Sequence, residues 1–383
     1  MHGYHWTRPR DEERTTMTDA AARTGRRVAF HAPGQPLELR YVDVPAPEPG
    51  GVLVRVVIAG VCGTDAHRLN GDIPAPKVPV AFGHEGIGRI EMLGEGVTAD
   101  SAGEPVAVGD LVYFSPAQVD GFPVAGSATP GDDKAPWPVP ADRASVATYQ
   151  DWAWLAKGVG FFRIPEGTPP EAVIAFGCAM PTAIGGMTRL GGVKAGQVVV
   201  VQGCGPVGLS ATLLASLGGP SQLIVIGAPD ERLEVAQRLG ATATLSLDAT
   251  TREERAALIA ELTGGCMADV VIEATGRIEA FDEGMALLGV EGRYLVLGIY
   301  SGPPMAQLNV VRMVNFSQQI IGNLGPARIE DLKTVVDLAR DHGKWLGFAD
   351  LVTHRYPLAR TDEAIRAVGS GAAIKAVVLP ETG

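Results

Sequence analysis

Four cysteines in 383 residues, none of them in a Cys-x-x-Cys pair, offer no disulfide framework and no zinc knuckle. Long apolar runs are missing as well: the most continuous, such as residues 197–202, are strand-length and far too short for a bilayer. Basic residues are in deficit, 32 Lys and Arg against 43 Asp and Glu, for a formal charge of −11. That balance excludes a nucleic-acid surface, which depends on clustered cations. The first 24 residues have no apolar signal core, and Asp11, Glu12 and Glu13 argue against an organelle-targeting peptide. They read as a disordered extension, with Met17 as an alternative start, and the cytoplasm is the expected compartment.

What is present is length and two textures. A chain of this size is long for one core, and two domains are expected. From residue 25 to about 174, short β-rich runs are broken by Gly and Pro, which suits an irregular antiparallel barrel. Residues 119–144 are dense in Gly, Pro and Asp and read as a long surface loop, in which Trp137 is placed to cover a substrate mouth. After about Pro181, apolar strands (198–202, 222–226, 269–273, 292–297, 319–321) alternate with helical segments (207–217, 230–239). That alternation means a doubly wound α/β parallel sheet covered on both faces. A helix over 330–342 and a last strand at 376–379 are expected to return to the first domain, which gives 25–178 plus 324–383 for one unit and 179–323 for the other.

Cys62, in Gly-Val-Cys-Gly-Thr-Asp, and His84, in Gly-His-Glu, are 22 residues apart and can converge on one metal ion. Zinc best suits such a mixed sulfur and nitrogen shell. Cys178, in Phe-Gly-Cys-Ala-Met-Pro, is a third candidate. Three protein ligands leave one position open, the arrangement of a catalytic zinc. Each has a plainer reading: His84 as a satisfied core histidine, Cys178 as an inert buried thiol like Cys204 and Cys266. Gly203-Cys-Gly205-Pro206-Val207-Gly208 follows a strand and opens a helix, the context that makes G-x-G-x-x-G a dinucleotide fingerprint. The helix N-terminus then faces the pyrophosphate. The next strand tip carries Gly227 where NAD sites usually place an acid. Arg232 nearby is either a partner for a 2′-phosphate or a solvated helix charge, so the cofactor is NAD or NADP.

Together, Cys62 to Asp65, Gly83 to Glu85, Cys178 and the fingerprint at Gly203 resemble the zinc-dependent medium-chain dehydrogenase/reductase family of alcohol dehydrogenases, over nearly the whole chain from residue 27. The resemblance implies a GroES-like β-barrel catalytic domain beside a Rossmann domain, and hydride transfer between an alcohol, or its ketone or aldehyde, and NAD(P). It implies zinc on Cys62, His84 and Cys178, with Asp65 orienting His84, and gives Thr64 and His67 the proton relay. Glu85 matches an acid close to the metal that can transiently replace a water ligand; a buried structural ion pair is the competing reading. Backbone groups near Leu297 and Ile299 are implied to hold the nicotinamide amide, and Lys375 either contacts the pyrophosphate or is solvated. Gly63 stands where some members carry a phosphate-binding arginine. Because residues 119–144 contain no cysteine, no structural zinc is expected. Phe114, Trp152 or Trp154 and the loop after Tyr113 are expected around an apolar or bulky secondary alcohol. A homodimer or homotetramer is implied through edge strands. An enone, quinone or imine reductase and a non-catalytic nucleotide-binding protein are the competing readings.

Overall fold

The computed structural model describes residues 23–72, 79–118, 145–300 and 305–382. The expected surface loop at 119–144, Trp137 within it and residues 1–22 lie outside the described residues. Strand Arg23–Phe30 begins inside the expected N-terminal extension, whose end at residue 24 is therefore two residues late. Arg23 pairs in register with Val44 and its guanidinium lies 4.5 Å from the Trp152 ring, so local polarity concealed a strand start.

Val198–Gln202, four valines and a glutamine, is hydrogen-bonded in parallel to Gln222–Gly227 on one side and Ala268–Glu273 on the other. β-Branched residues that bury both faces suit this central position. Across the sheet the order is Ala243–Ser246, Gln222–Gly227, Val198–Gln202, Ala268–Glu273, Leu288–Val296, Gln319–Gly322, every pair parallel. Two halves wound outward from the first strand are the dinucleotide-binding topology, and its switch point lies beside the C-terminal end of Val198–Gln202. Helices Pro206–Ser216 and Asp230–Arg238 match the expected ones within a residue. The sequence reading left strand Ala243–Ser246 and helices Arg252–Leu262 and Ile278–Leu287 unassigned.

The first texture forms a seven-stranded sheet built from Val52–Gly60, Gly86–Leu93, Leu111–Gln118, Trp152–Leu155 and Val159–Arg163, joined by Val352–Pro357 and Lys375–Leu379. Its pairs are antiparallel except the last two strands, which run parallel to each other. A three-stranded sheet, Glu38–Val44, Arg23–Phe30 and Val80–Ala81, lies beside it. The consequential pairing is Val377 against Gly60, which brings the last strand of the chain alongside Val52–Gly60. One apolar core runs unbroken from Ile58, Tyr113 and Phe176 to Val199, Leu209 and Leu233, so both sheets are bound into one packed body. Among the described residues no helix is long and apolar enough to cross a membrane.

Candidate active site

Cys62 ends the approach from strand Val52–Gly60 and caps helix Gly63–Asn70. Its Sγ accepts the Thr64 N–H at 3.5 Å, while its own N–H donates to Asp65 Oδ2 at 3.1 Å. This reciprocal capping box sets the start of the helix and fixes both side chains. Cys178 precedes helix Ala179–Leu190, at the seam between the two sheets. Gly83 (φ +88°) turns the chain so that His84 and Glu85 face the same space.

Ligand atoms of Cys62, His84, Glu85 and Cys178 all lie within 4.8 Å of one another. The two sulfurs are 3.2 Å apart, far beyond the roughly 2.05 Å of a disulfide bond. His84 Nδ1 is 3.4 Å from Asp65 Oδ1. Asp65 is buried and also accepts the Tyr149 hydroxyl at 2.6 Å on Oδ2. The thiol pair shares its protons unequally: the hydrogen bond from Cys178 pulls Cys62 well below the ordinary thiol range and pushes Cys178 well above it. Burial disfavours the imidazolium of His84, but the charge and hydrogen bond of Asp65, then those of Cys62, outweigh it and raise its pKa well above normal. Two thiols and an imidazole that compete for protons at such distances are the donor set of a thiophilic divalent cation, and they fit zinc.

Glu85 is 2 % exposed, and its Oε2 is ion-paired to the ammonium of Lys375, itself 2 % exposed. Its Oε1 accepts the Cys178 N–H at 2.8 Å. The carboxylate is thus both close to the cluster and a buried salt-bridge partner. Lys375 does not lie solvated or beside the fingerprint: the pyrophosphate contact is corrected, because the final strand delivers its ammonium to Glu85. Two glycines make room for this carboxylate. A Cβ at Gly60 or at Gly177 (φ +48°) would overlap it. Gly177→Ala is therefore expected to cost about 1–3 kcal/mol from the left-handed backbone alone, with displacement of Glu85 in addition; thermal unfolding checks this.

Thr64 Oγ1 sits 3.6 Å from Cys62 Sγ, and His67 Nδ1 is held 2.9 Å from Asp72 Oδ2, one helical turn further along. At the fingerprint, Gly203 adopts φ +107°, a Cβ on Gly208 would strike the Gly203 carbonyl, and nothing lies within 4 Å of where a Gly205 Cβ would be. The turn, the open face for a ligand and the close helix packing thus fall on Gly203, Gly205 and Gly208 respectively. Pro206 and Val207 open the helix. Gly227 is shaped by its neighbour, since a Cβ there would lie on Cys204 Sγ. Arg232 is not a solvated helix charge: its Nη2 donates to the carbonyls of Gly371 (2.6 Å) and Ala373 (2.7 Å), tying its helix to the segment before the last strand. The Leu297 N–H is given to the Glu273 carbonyl at 2.8 Å, and Ile299, two residues on, is partly exposed.

The aromatic pocket expectation does not survive. Phe114 is buried in the core of the seven-stranded sheet, Trp152 lies between Arg23 and Arg55, and Trp154 donates to the Ala46 carbonyl. Two side chains escaped the sequence reading. Tyr149 sits behind Asp65, and Glu273, fully buried at a strand tip, accepts from Thr275 N and Oγ1, Gly276 N and the Tyr300 hydroxyl. A glutamate closing an apolar strand, Val-Val-Ile-Glu, was the available signal for the second.

Comparison with known proteins agrees with this geometry. The profile of the alcohol dehydrogenase GroES-like domain matches residues 48–127, and that of zinc-binding dehydrogenases matches residues 206–341. The 5-exo-hydroxycamphor dehydrogenase of Pseudomonas putida is 40% identical over 347 residues, 89% of this chain and 95% of the relative. Sorbitol dehydrogenase of Halalkalibacterium halodurans is 29% identical over 88% of this chain and 94% of its own length. Among solved structures, an alcohol dehydrogenase from Thermotoga maritima superposes with a TM-score of 0.81 at 27% identity, covering 93% of this chain and 99% of that one. The GroES-like fold and the Rossmann sheet are thereby both accounted for, and zinc and NAD(P) are the cofactors of the group. The chain belongs to the zinc-dependent medium-chain alcohol dehydrogenase family and is an NAD(P)-dependent oxidoreductase of alcohols.

Proposed function

We propose that the chain interconverts a bulky alicyclic secondary alcohol and its ketone, with a single zinc held by Cys62, His84 and Cys178. The convergence of those three side chains within 4.8 Å carries the reading. The similarity to a dehydrogenase of hydroxycamphor, a rigid bicyclic alcohol, supports the substrate class. Zinc bound there supplies a Lewis acid that polarises the substrate oxygen. The chain's own residues do the rest. Asp65 orients His84, and the Thr64 hydroxyl takes the proton that leaves the alcohol. His67, one turn along the same helix, passes it on; its Nδ1 on Asp72 leaves Nε2 as the accepting nitrogen. Glycines 203, 205 and 208 and the helix they open hold the pyrophosphate, with Gly227 and Arg232 beside the adenosine ribose and Leu297 and Ile299 beside the nicotinamide. We take residues 25–178 and 324–383 as the catalytic unit and 179–323 as the cofactor unit, working as a cytoplasmic homodimer or homotetramer.

The purified protein should contain one zinc per chain and produce NAD(P)H from bornane-type secondary alcohols with a kcat/KM at least about tenfold above that for straight-chain primary alcohols, since each poorly filled methylene position costs about 1–3 kcal/mol. Absence of zinc, or equal rates on ethanol, would defeat the reading. The same assay with both cofactors decides whether a missing acid at Gly227 admits NADPH. A kcat/KM for NADP+ within about tenfold of that for NAD+ is expected.

A further inference from the structure

We infer that Tyr149 is a positioning residue of the metal centre, acting through Asp65 on His84. The inference rests on the zinc reading above and deepens it. Tyr149 is wholly buried, and its hydroxyl donates to Asp65 Oδ2 at 2.6 Å, with the Gly60 carbonyl 3.2 Å away. The same oxygen of Asp65 takes the Cys62 N–H, so Oδ2 is held from two sides and Oδ1 is left to face His84 Nδ1. An imidazole that donates through Nδ1 keeps its free lone pair on Nε2, and the carboxylate's orientation therefore selects which nitrogen serves a metal.

The ring contributes a second constraint. It stacks edge-on against Phe82 at 5.8 Å between centroids, and a Cβ on Gly83 would come within 2.8 Å of it. Tyr149 therefore supports the backbone one residue before His84 with its ring, and supports the imidazole's carboxylate partner with its hydroxyl. Its hydroxyl bonds to Asp65 and the Gly60 carbonyl, and its ring packs on Phe82 and Gly83, so it acts on His84 through these neighbours. Phe82, Gly83, His84 and Asp65 are placed by two separate stretches of chain, and Tyr149 contacts both.

Tyr149→Phe keeps the ring and removes the hydroxyl. Zinc affinity of the full-length protein, measured by chelator competition, should fall about tenfold to a hundredfold, the usual cost of losing an outer partner of a metal-binding histidine. Cobalt-substituted protein should show shifted visible ligand-field bands, a readout that a general loss of packing would not move. Asp65→Asn should weaken zinc on its own, and adding Tyr149→Phe should cause no further loss, because both act through one carboxylate. Should Tyr149→Phe fail to fold, 3-fluorotyrosine at position 149 preserves shape while making the hydroxyl a stronger donor, and zinc affinity should shift there too. Unchanged affinity in a folded variant, or losses that add across the two substitutions, would overturn the inference. A wild-type protein that binds no zinc at all would instead overturn the metal reading on which it rests.

Discussion

Replacing Cys62 by serine is expected to lower kcat/KM by about three powers of ten or more, with loss of zinc from the purified protein and little change in cofactor binding. The size follows from what is removed. A Lewis acid at a reacting oxygen contributes several kcal/mol to the transition state, and each 1.36 kcal/mol is a factor of ten. The separation of effects follows from the fold. Cys62 caps a helix on the seven-stranded sheet, whereas the fingerprint glycines belong to the parallel sheet. Serine retains a capping oxygen for the Thr64 N–H, so the helix start is preserved and the loss is read as chemistry rather than unfolding. Metal analysis, NADH fluorescence titration and steady-state kinetics on one preparation check all three parts. Unimpaired turnover in zinc-free Cys62→Ser would remove the thiolate from the site.

Lys375→Met is expected to cost about 3–5 kcal/mol of stability, because it strands the Glu85 carboxylate in the interior without its counter-charge. For a chain of this size the melting temperature should fall by roughly 4–6 °C. Glu85→Gln combined with Lys375→Met should recover most of that loss, since two neutral groups of similar volume replace a buried pair. Calorimetry on the single and double variants tests the coupling. A double variant no more stable than Lys375→Met would show that the two groups do not depend on each other. Glu85 also accepts the Cys178 N–H, so the single variant should loosen zinc as well, whereas a merely superficial lysine would leave the metal unaffected.

The residues legible in the sequence were those whose chemistry demands one residue type. Cysteine and histidine are scarce, and their pattern at 62, 84 and 178 survives without knowledge of the fold. The fingerprint glycines were equally plain, because a positive φ and a close approach both require them. The helix at Glu330–His342 and the strand at Val198–Gln202 showed in their periodicity and composition. Lys375 was misread for the opposite reason. A lone lysine has no local signature, and its partner is 290 residues away, joined only by a sheet register that no short window contains. The rings at 114, 152 and 154 have other partners, because aromatic character alone does not say which neighbours a ring will meet. Tyr149 and Glu273 were missed because a lone hydroxyl or carboxylate acquires meaning only from what is packed against it.

That distant ion pair bears on how the protein is made. Synthesis proceeds from Glu85 to Lys375, so the acid emerges 290 residues before the amine that neutralises it. A ribosome-bound chain, or one cut short before residue 375, owns every sulfur and imidazole of the centre yet holds a carboxylate with no cation to balance it. Balancing that carboxylate therefore waits for strand Lys375–Leu379 to pair with Val52–Gly60, a contact of high sequence separation.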